Sequence, residues 1–185
     1  MSAAGGARLL VLGLGNVLCG DDGAGVEAVR RLLERYDPPD SVRVVDGGTL
    51  GLSLMGLFEP GDEVLLVDAI RAEAPFGTLI RLEADDVAPA MRERLSVHQV
   101  GVVDLLDALR LLNCLPAQLT LLGLVPKTLE LGLSRSAEVE ANLPHLVEAV
   151  AEEIRRAGHV LQIRSADDVE RQERDGYRVA RVVGL

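Results

Sequence analysis

Residues 9–26 read LLVLGLGNVLCGDDGAGV, and this stretch decides the fold. The apolar run at residues 9–12 ends in glycines, which predicts a buried parallel strand followed by a tight turn. From about residue 23 to residue 35 the apolar side chains recur at helical spacing, so a helix follows the turn. Asp21 and Asp22 stand just before that helix, where we expect their carboxylates to cap free N–H groups.

The rest of the chain repeats this alternation of strand and helix. Buried strands are predicted at residues 42–45, 64–67 and 119–125, and a half-exposed edge strand at 78–82. Helices are predicted at residues 50–58, from about 99 to 112, and at 139–154, where Pro144 predicts a kink or a late start. Between the edge strand at 78–82 and Ser96 the sequence is polar, and we predict no helix or strand there. The order predicts an α/β fold: a mostly parallel, twisted sheet of about five strands, with one antiparallel edge, between helix layers.

The domain organisation follows from where this pattern stops. Residues 1–158 are predicted to form a single α/β domain, and residues 159–185 a C-terminal tail rich in charge with little periodicity. Short apolar runs at 160–163 and 178–183 fit additional strands, and a mobile tail fits equally well.

Composition excludes several classes of function. The chain has 185 residues, a formal net charge of −10 and no basic stripe, so nucleic-acid binding is not expected. Aromatic residues make up 2% and tryptophan is absent, which argues against stacking sites for bases or sugars. Two distant cysteines without a CxxC pair favour a reduced, cytoplasmic setting. The apolar start is too short to span a bilayer, so no membrane association is expected.

Three reactive side chains follow predicted strands or precede predicted helices. Asp22 opens the first helix, Asp68 ends the third strand, and His98 lies just before the helix that begins near residue 99. Ligands bind at the carboxyl ends of strands in an open parallel sheet, so these residues form a candidate divalent-metal site. A helix N-terminus favours an ionised Asp22 and a neutral, metal-binding His98.

Each residue alone also has a structural interpretation. Asp22 could simply cap the helix; if Asp22 binds metal, Asp21 would be the cap instead. His98 could be a hydrogen-bonded core histidine. The glycines at residues 13 and 15, with Asp46 after the second strand, resemble part of a dinucleotide fingerprint, but Leu18 stands where its third glycine belongs. Cys19 is a possible nucleophile paired with His98, although its acidic neighbours favour a packing role.

Several motifs occur together in a fixed order. They are GLGNVL at 13–18, DDGAGV at 21–26, DGGT at 46–49, LVDA at 66–69, HQ at 98–99 and LGLVP at 122–126. Together they resemble the hydrogenase maturation endopeptidase family, over about residues 9 to 158. The resemblance implies a phosphorylase/hydrolase-like three-layer sandwich.

The resemblance also implies an activity. Family members remove a C-terminal extension from the large-subunit precursor of a nickel–iron hydrogenase after nickel insertion, and their metal-contacting residues match Asp22, Asp68 and His98. These three are therefore the expected catalytic and metal-contacting residues, with nickel carried by the substrate protein and no further cofactor. The resemblance implies a hydrolase and leaves the aspartic-type and metal-dependent routes both open. We expect the protein to be a cytoplasmic monomer. The alternative is a nickel-checking binding module of the large subunit without peptidase activity.

Overall fold

The computed structural model describes residues 8–92 and 97–164. Its strands are β1 Leu9–Leu14, β2 Tyr36–Asp37, β3 Val42–Gly48, β4 Glu63–Ala69, β5 Leu79–Glu83, β6 Gln118–Leu124 and β7 Gln162–Ile163. Its α-helices are α1 Ala24–Arg35, α2 Val87–Arg92, α3 Val97–Leu111 and α4 Ala137–Arg156. Short 3₁₀ helices span Gly20–Gly23, Gly51–Leu57 and Ala84–Asp86.

The main sheet has the strand order β3-β1-β4-β6-β5. β1, β3, β4 and β6 run parallel, whereas β5 pairs antiparallel with β6 at the edge. The predicted class is therefore confirmed, including the number of strands and the antiparallel edge. All four parallel strands end at the same edge of the sheet, which we call the carboxyl edge.

The two faces of the sheet bury separate sets of apolar side chains. On one face, Leu9 and Val11 of β1 pack with α1 and α4. On the other face, Leu10 and Leu12 pack with α2, α3 and the 3₁₀ helix at Gly51–Leu57. Because successive strand residues point to opposite faces, one apolar run fills both cores, and the fold has three layers.

Two local expectations about helices are wrong: the absence of an element after β5, and a late helix start at Pro144; the alternative, a kink at Pro144, stays a prediction. The polar stretch after β5 contains α2, whose Val87 and Met91 are buried against the second face. Helix α4 begins at Ala137, well before Pro144, so the proline does not delay its start. The Ser136 side chain accepts a hydrogen bond from Val139 N and caps this helix, which fixes the start on the N-terminal side of the proline.

The chain after α4 returns to the end of α1. Gln162–Ile163 forms β7, antiparallel to β2, within the apolar run predicted at 160–163. Nearby, the Tyr36 hydroxyl donates to Glu148 Oε2 at 2.9 Å, which joins β2 to α4. The second predicted run, at residues 178–183, lies outside the described residues. Within the described ranges, no helix is long and apolar enough to cross a membrane.

Gly25 is where α1 meets the sheet most closely. A Cβ atom at this position would lie 2.0 Å from the Val67 carbonyl oxygen and 2.5 Å from the Leu14 carbonyl oxygen. Both obstacles are backbone atoms of central strands, so neither can move aside cheaply. The first turn of α1 therefore sits against the ends of β1 and β4 only because residue 25 has no side chain.

We expect Gly25→Ala to destabilise the protein by about 3 kcal/mol, because the added methyl forces α1 away from both strands. Denaturant-induced unfolding followed by circular dichroism measures the change. Gly56→Ala is the matched control, since a Cβ there meets nothing within 4 Å. Equal stability of the two variants would contradict the close approach.

Candidate active site

The carboxyl edge of β1 and β4 gathers the predicted site residues. β1 and β4 are neighbours in register, with Gly13 opposite Val67. The segment that leaves β1 carries Asp22, and Asp68 directly follows Val67 in β4. The 3₁₀ helix at Gly20–Gly23 contacts β4. The structure thus brings Asp22, from the connection after β1, and Asp68, from the end of β4, to one edge of the sheet.

Asp68 lies near the end of β4 and is completely buried. Its Oδ1 atom accepts a hydrogen bond of 2.7 Å from its neighbour's main-chain nitrogen, Ala69 N. On the β6 side, Gly123 is paired with Asp68, and a Cβ at Gly123 would lie 1.9 Å from the Asp68 carbonyl oxygen. Because Gly123 has no side chain, β6 can lie close to the main chain of β4 at Asp68.

Asp22 lies in the 3₁₀ helix before α1 and is 3% exposed. Its Oδ2 atom accepts a hydrogen bond of 2.9 Å from Asn16 N. Among the described residues, neither Asp21 nor Asp22 caps α1, whose N-cap is Gly23 without a side-chain hydrogen bond. The expectation that these acids cap the first helix is therefore wrong: Asp22 closes the turn that precedes it.

Gly15 shows what the glycines after β1 do. Its φ is +120°, and a Cβ there would lie 1.8 Å from the Asp22 carbonyl oxygen. The glycine thus allows the turn to fold back onto Asp22. Asp46, the ribose-binding acid of the dinucleotide alternative, instead forms an ion pair of 2.8 Å with Arg30.

His98 is the second residue of α3, and its side chain lies outside the described part of the structure. One turn further on, Gly101 packs against Gly51: a Cβ atom added to Gly51 would lie 3.0 Å from the Cα of Gly101. Gly51 belongs to the connection that follows β3 at the carboxyl edge, so the beginning of α3 lies next to that connection. Among the side chains that the structure describes, no group of three metal-binding residues occurs. Coordination by Asp22, Asp68 and His98 together stays a prediction.

Asp21 has a role that the sequence does not reveal. It is completely buried and accepts hydrogen bonds from residues 127, 128 and 136. These partners belong to the connection between β6 and α4, which we call the 126–136 loop. The nearest sequence signal is the serine before α4, which is typical of an N-cap, but nothing in the sequence pairs it with Asp21.

Acidic residues at the start of α4 carry ion pairs beside this loop. The hydrogen bond from Lys127 Nζ at 2.7 Å lowers the pKa of Glu138 from its ordinary value. The hydrogen bond from Arg31 likewise lowers the pKa of Glu140. Glu140 is exposed and Glu138 is half-buried, and both ion pairs lie at the surface, so they add little stability but keep the flank of the loop charged.

Apolar side chains project from the same region. Leu18, Leu131 and Leu133 are 54%, 89% and 75% exposed. They stand on two segments that pair through Cys19 and Gly132, where the main chain forms a parallel bridge. We call these three side chains the leucine rim. Cys19 itself is half-buried.

Comparisons of sequence and fold find relatives among hydrogenase maturation proteases. The family model described as hydrogenase maturation protease matches residues 26–153. The hydrogenase 2 maturation protease of Escherichia coli is 39% identical over 153 residues, which cover 82% of this chain and 93% of that protein. The hydrogenase expression/formation protein HoxM of Azotobacter vinelandii is 36% identical over 86% of this chain and 78% of its own length.

Solved structures agree with the sequence relatives. The hydrogenase maturating endopeptidase HybD from Escherichia coli superimposes with a TM-score of 0.81 at 37% identity, covering 85% of this chain and 98% of that one. The [NiFe] hydrogenase maturation protease HybD from Thermococcus kodakarensis gives 0.65 at 29% identity, over 80% and 98%. The fold is that of the solved hydrogenase maturation endopeptidases. This chain belongs to the hydrogenase maturation protease family.

The geometry after β1 predicts no dinucleotide binding. Asp46 is paired with Arg30, and Gly15 serves the turn against Asp22, so the groups that a dinucleotide needs are engaged elsewhere. We expect a calorimetric titration with NAD to show no saturable binding up to about 1 mM. Saturation at micromolar concentrations would contradict this assignment of the glycines.

Proposed function

We propose that this protein is the endopeptidase that removes a C-terminal extension from the large-subunit precursor of a nickel–iron hydrogenase after nickel insertion. The observation that carries the proposal is the meeting of Asp22 and Asp68 at the carboxyl edge, on a chain of the hydrogenase maturation protease family. Two relatives are named as acting in hydrogenase maturation, which supports a hydrogenase subunit as substrate.

Nickel enters this proposal as part of the substrate. Asp22 and Asp68 supply carboxylate oxygens and His98 supplies an imidazole nitrogen, and this donor set suits a divalent transition ion. Both carboxylates are almost inaccessible to water. An ion that reaches them is therefore partly desolvated, and its attraction to the carboxylates is stronger than at an exposed site. Contact with nickel thus reports that the metal has been inserted.

Hydrolysis needs a polarised carbonyl and an activated water. In the proposed complex the nickel-bearing end of the substrate lies against Asp22 and Asp68, which places the scissile peptide at the same edge. In one route a carboxylate acts as general base and takes a proton from the attacking water. In the other route the nickel of the substrate polarises the carbonyl of the scissile peptide. The C–N bond breaks to give a new carboxyl terminus and a free amine on the released extension.

The leucine rim supports a polypeptide substrate. Leu131 is among the most exposed large apolar side chains of the described residues, and the rim lies on the segment before Asp22 and on the 126–136 loop that is hydrogen-bonded to it. Exposed apolar side chains that are grouped beside a site typically mark contact with another protein. The rim thus offers apolar contact to the part of the precursor next to the cleaved bond.

We expect Asp68→Asn to lower processing of the nickel-loaded precursor at least about 100-fold, because the amide can neither act as a base nor bind nickel as an anion. The Asn oxygen retains the bond from Ala69 N, so the fold survives. Asp62→Asn is the matched control, since Asp62 is a buried acid at the opposite end of β4. Mass spectrometry of the large subunit measures processing, and unchanged processing by Asp68→Asn would reject the protease assignment.

Nickel dependence is tested with one precursor in two states. We expect cleavage of the nickel-loaded precursor and no cleavage of the nickel-free form, because only the former gives Asp22 and Asp68 an ion to engage. Equal rates for both forms would contradict recognition through nickel. Binding of the nickel-loaded form without any cleavage would indicate instead a binding module that checks for nickel.

A further inference from the structure

Asp21 is a buried acid to which the proposed reaction assigns no task. It precedes Asp22 and is 0% exposed, so its carboxylate is removed from water altogether. Burying a carboxylate is costly unless hydrogen bonds replace its hydration. The structure shows which groups replace that hydration and where they come from.

Four hydrogen bonds converge on the Asp21 carboxylate. Oδ2 accepts from Lys127 N at 2.9 Å, from Thr128 N at 3.1 Å and from Ser136 Oγ at 2.8 Å. Oδ1 accepts from Ser136 N at 2.6 Å. All these donors are neutral, and all belong to the 126–136 loop. One carboxylate therefore holds both ends of that loop.

Main-chain hydrogen bonds continue the same contact. Gly20 N donates to Gly132 O at 2.7 Å, Gly132 N donates to Leu18 O at 2.8 Å, and Asp21 N donates to Thr128 O at 3.1 Å. The 126–136 loop thus runs beside residues 18–21 and is fastened to them at several points. The turn that carries Asp22 has this loop as its outer support.

The position of Asp22 depends on that turn. Asp22 N donates to Cys19 O at 3.1 Å, and Asp22 Oδ2 accepts from Asn16 N at 2.9 Å. A shift of residues 18–21 therefore moves both the backbone and the carboxylate of Asp22. Helix α4, in contrast, is held by its own buried side chains against the sheet, so its packing does not need Asp21.

We propose that Asp21 is a positioning residue for the cleavage reaction: by fastening the 126–136 loop to the turn, it fixes where Asp22 presents its carboxylate. This inference rests on the proposed function for its kinetic consequence. Its structural consequence, the coupling of Asp21 to the Asn16–Asp22 hydrogen bond, can be measured without substrate.

Asp21→Asn is the main variant. The side chain keeps its size, but its NH₂ group cannot accept the bonds that Oδ1 or Oδ2 accepts now, so at least one of the four hydrogen bonds to the loop is lost. We expect kcat for the nickel-loaded precursor to fall roughly 10- to 100-fold, as for a misplaced reacting group, with KM within about threefold of the original.

Ser136 supplies a graded pair of variants. Ser136→Ala removes the hydroxyl that donates to Asp21, and we expect a smaller loss of kcat than for Asp21→Asn. Ser136→Thr keeps a hydroxyl and remains a good N-cap, so we expect it to restore the original kcat. Tyr36→Phe is the stability control, since it removes the bond to Glu148 at the far end of α1.

Hydrogen exchange at the Asn16 amide provides the readout that needs no activity. This amide bonds to Asp22 and not to Asp21, so faster exchange in Asp21→Asn, with no change in Tyr36→Phe, supports the coupling. Unchanged exchange at Asn16, or an equal loss of kcat in Tyr36→Phe, overturns the inference. A wild-type protein that cleaves no precursor rejects the proposed function alone, because the exchange experiment still decides the role of Asp21.

Discussion

The contact of α1 with the ends of two central strands is the constraint on which the site depends. At Gly25 the helix backbone lies so close to the carbonyl oxygens of Leu14 and Val67 that no side chain fits between them. This contact fixes the start of α1 over the carboxyl edge of β1 and β4. Asp22 lies one turn before Gly25, and Asp68 directly follows Val67, so both acids flank the same contact.

Hydrogen bonds from main-chain amides set the orientation of the buried acids. Asp22 accepts a hydrogen bond from Asn16 N, and Asp68 accepts one from Ala69 N. Asp21 accepts hydrogen bonds from three main-chain amides and one hydroxyl. Amide dipoles held by the fold need no reorganisation when charge approaches, which is the basis of a preorganised site. Glycines make this possible, because Gly15 and Gly123 let the main chain come close to the carbonyl oxygens of Asp22 and Asp68.

Patterns of local origin were predicted well from the sequence. The strand before GLGNVL, the amphipathic α1 and the antiparallel β5 each follow from side-chain periodicity within a few neighbouring residues. The placement of Asp22 and Asp68 at one edge also followed, because parallel strands end together. The prediction that His98 lies beside Asp22 and Asp68 stays a prediction, because its side chain is outside the described part of the structure.

What the sequence did not reveal depends on distant partners or on burial of short segments. Helix α2 has only six residues, which is too short for a helical period to stand out, although its Val87 and Met91 are buried. The role of Asp21 was misassigned because its partners lie more than a hundred residues away, at Lys127 and Ser136. Local propensity favours a helix cap at such an acid, and the tertiary contact overrides it.

The adjacent acids Asp21 and Asp22 take different directions because they lie in a 3₁₀ helix. Such a helix has three residues per turn, so neighbouring side chains project about 120° apart. One carboxylate therefore turns toward the 126–136 loop while the next bonds Asn16 in the turn after β1. This wide angle between neighbouring side chains lets Asp21 hold the loop while Asp22 bonds the turn after β1.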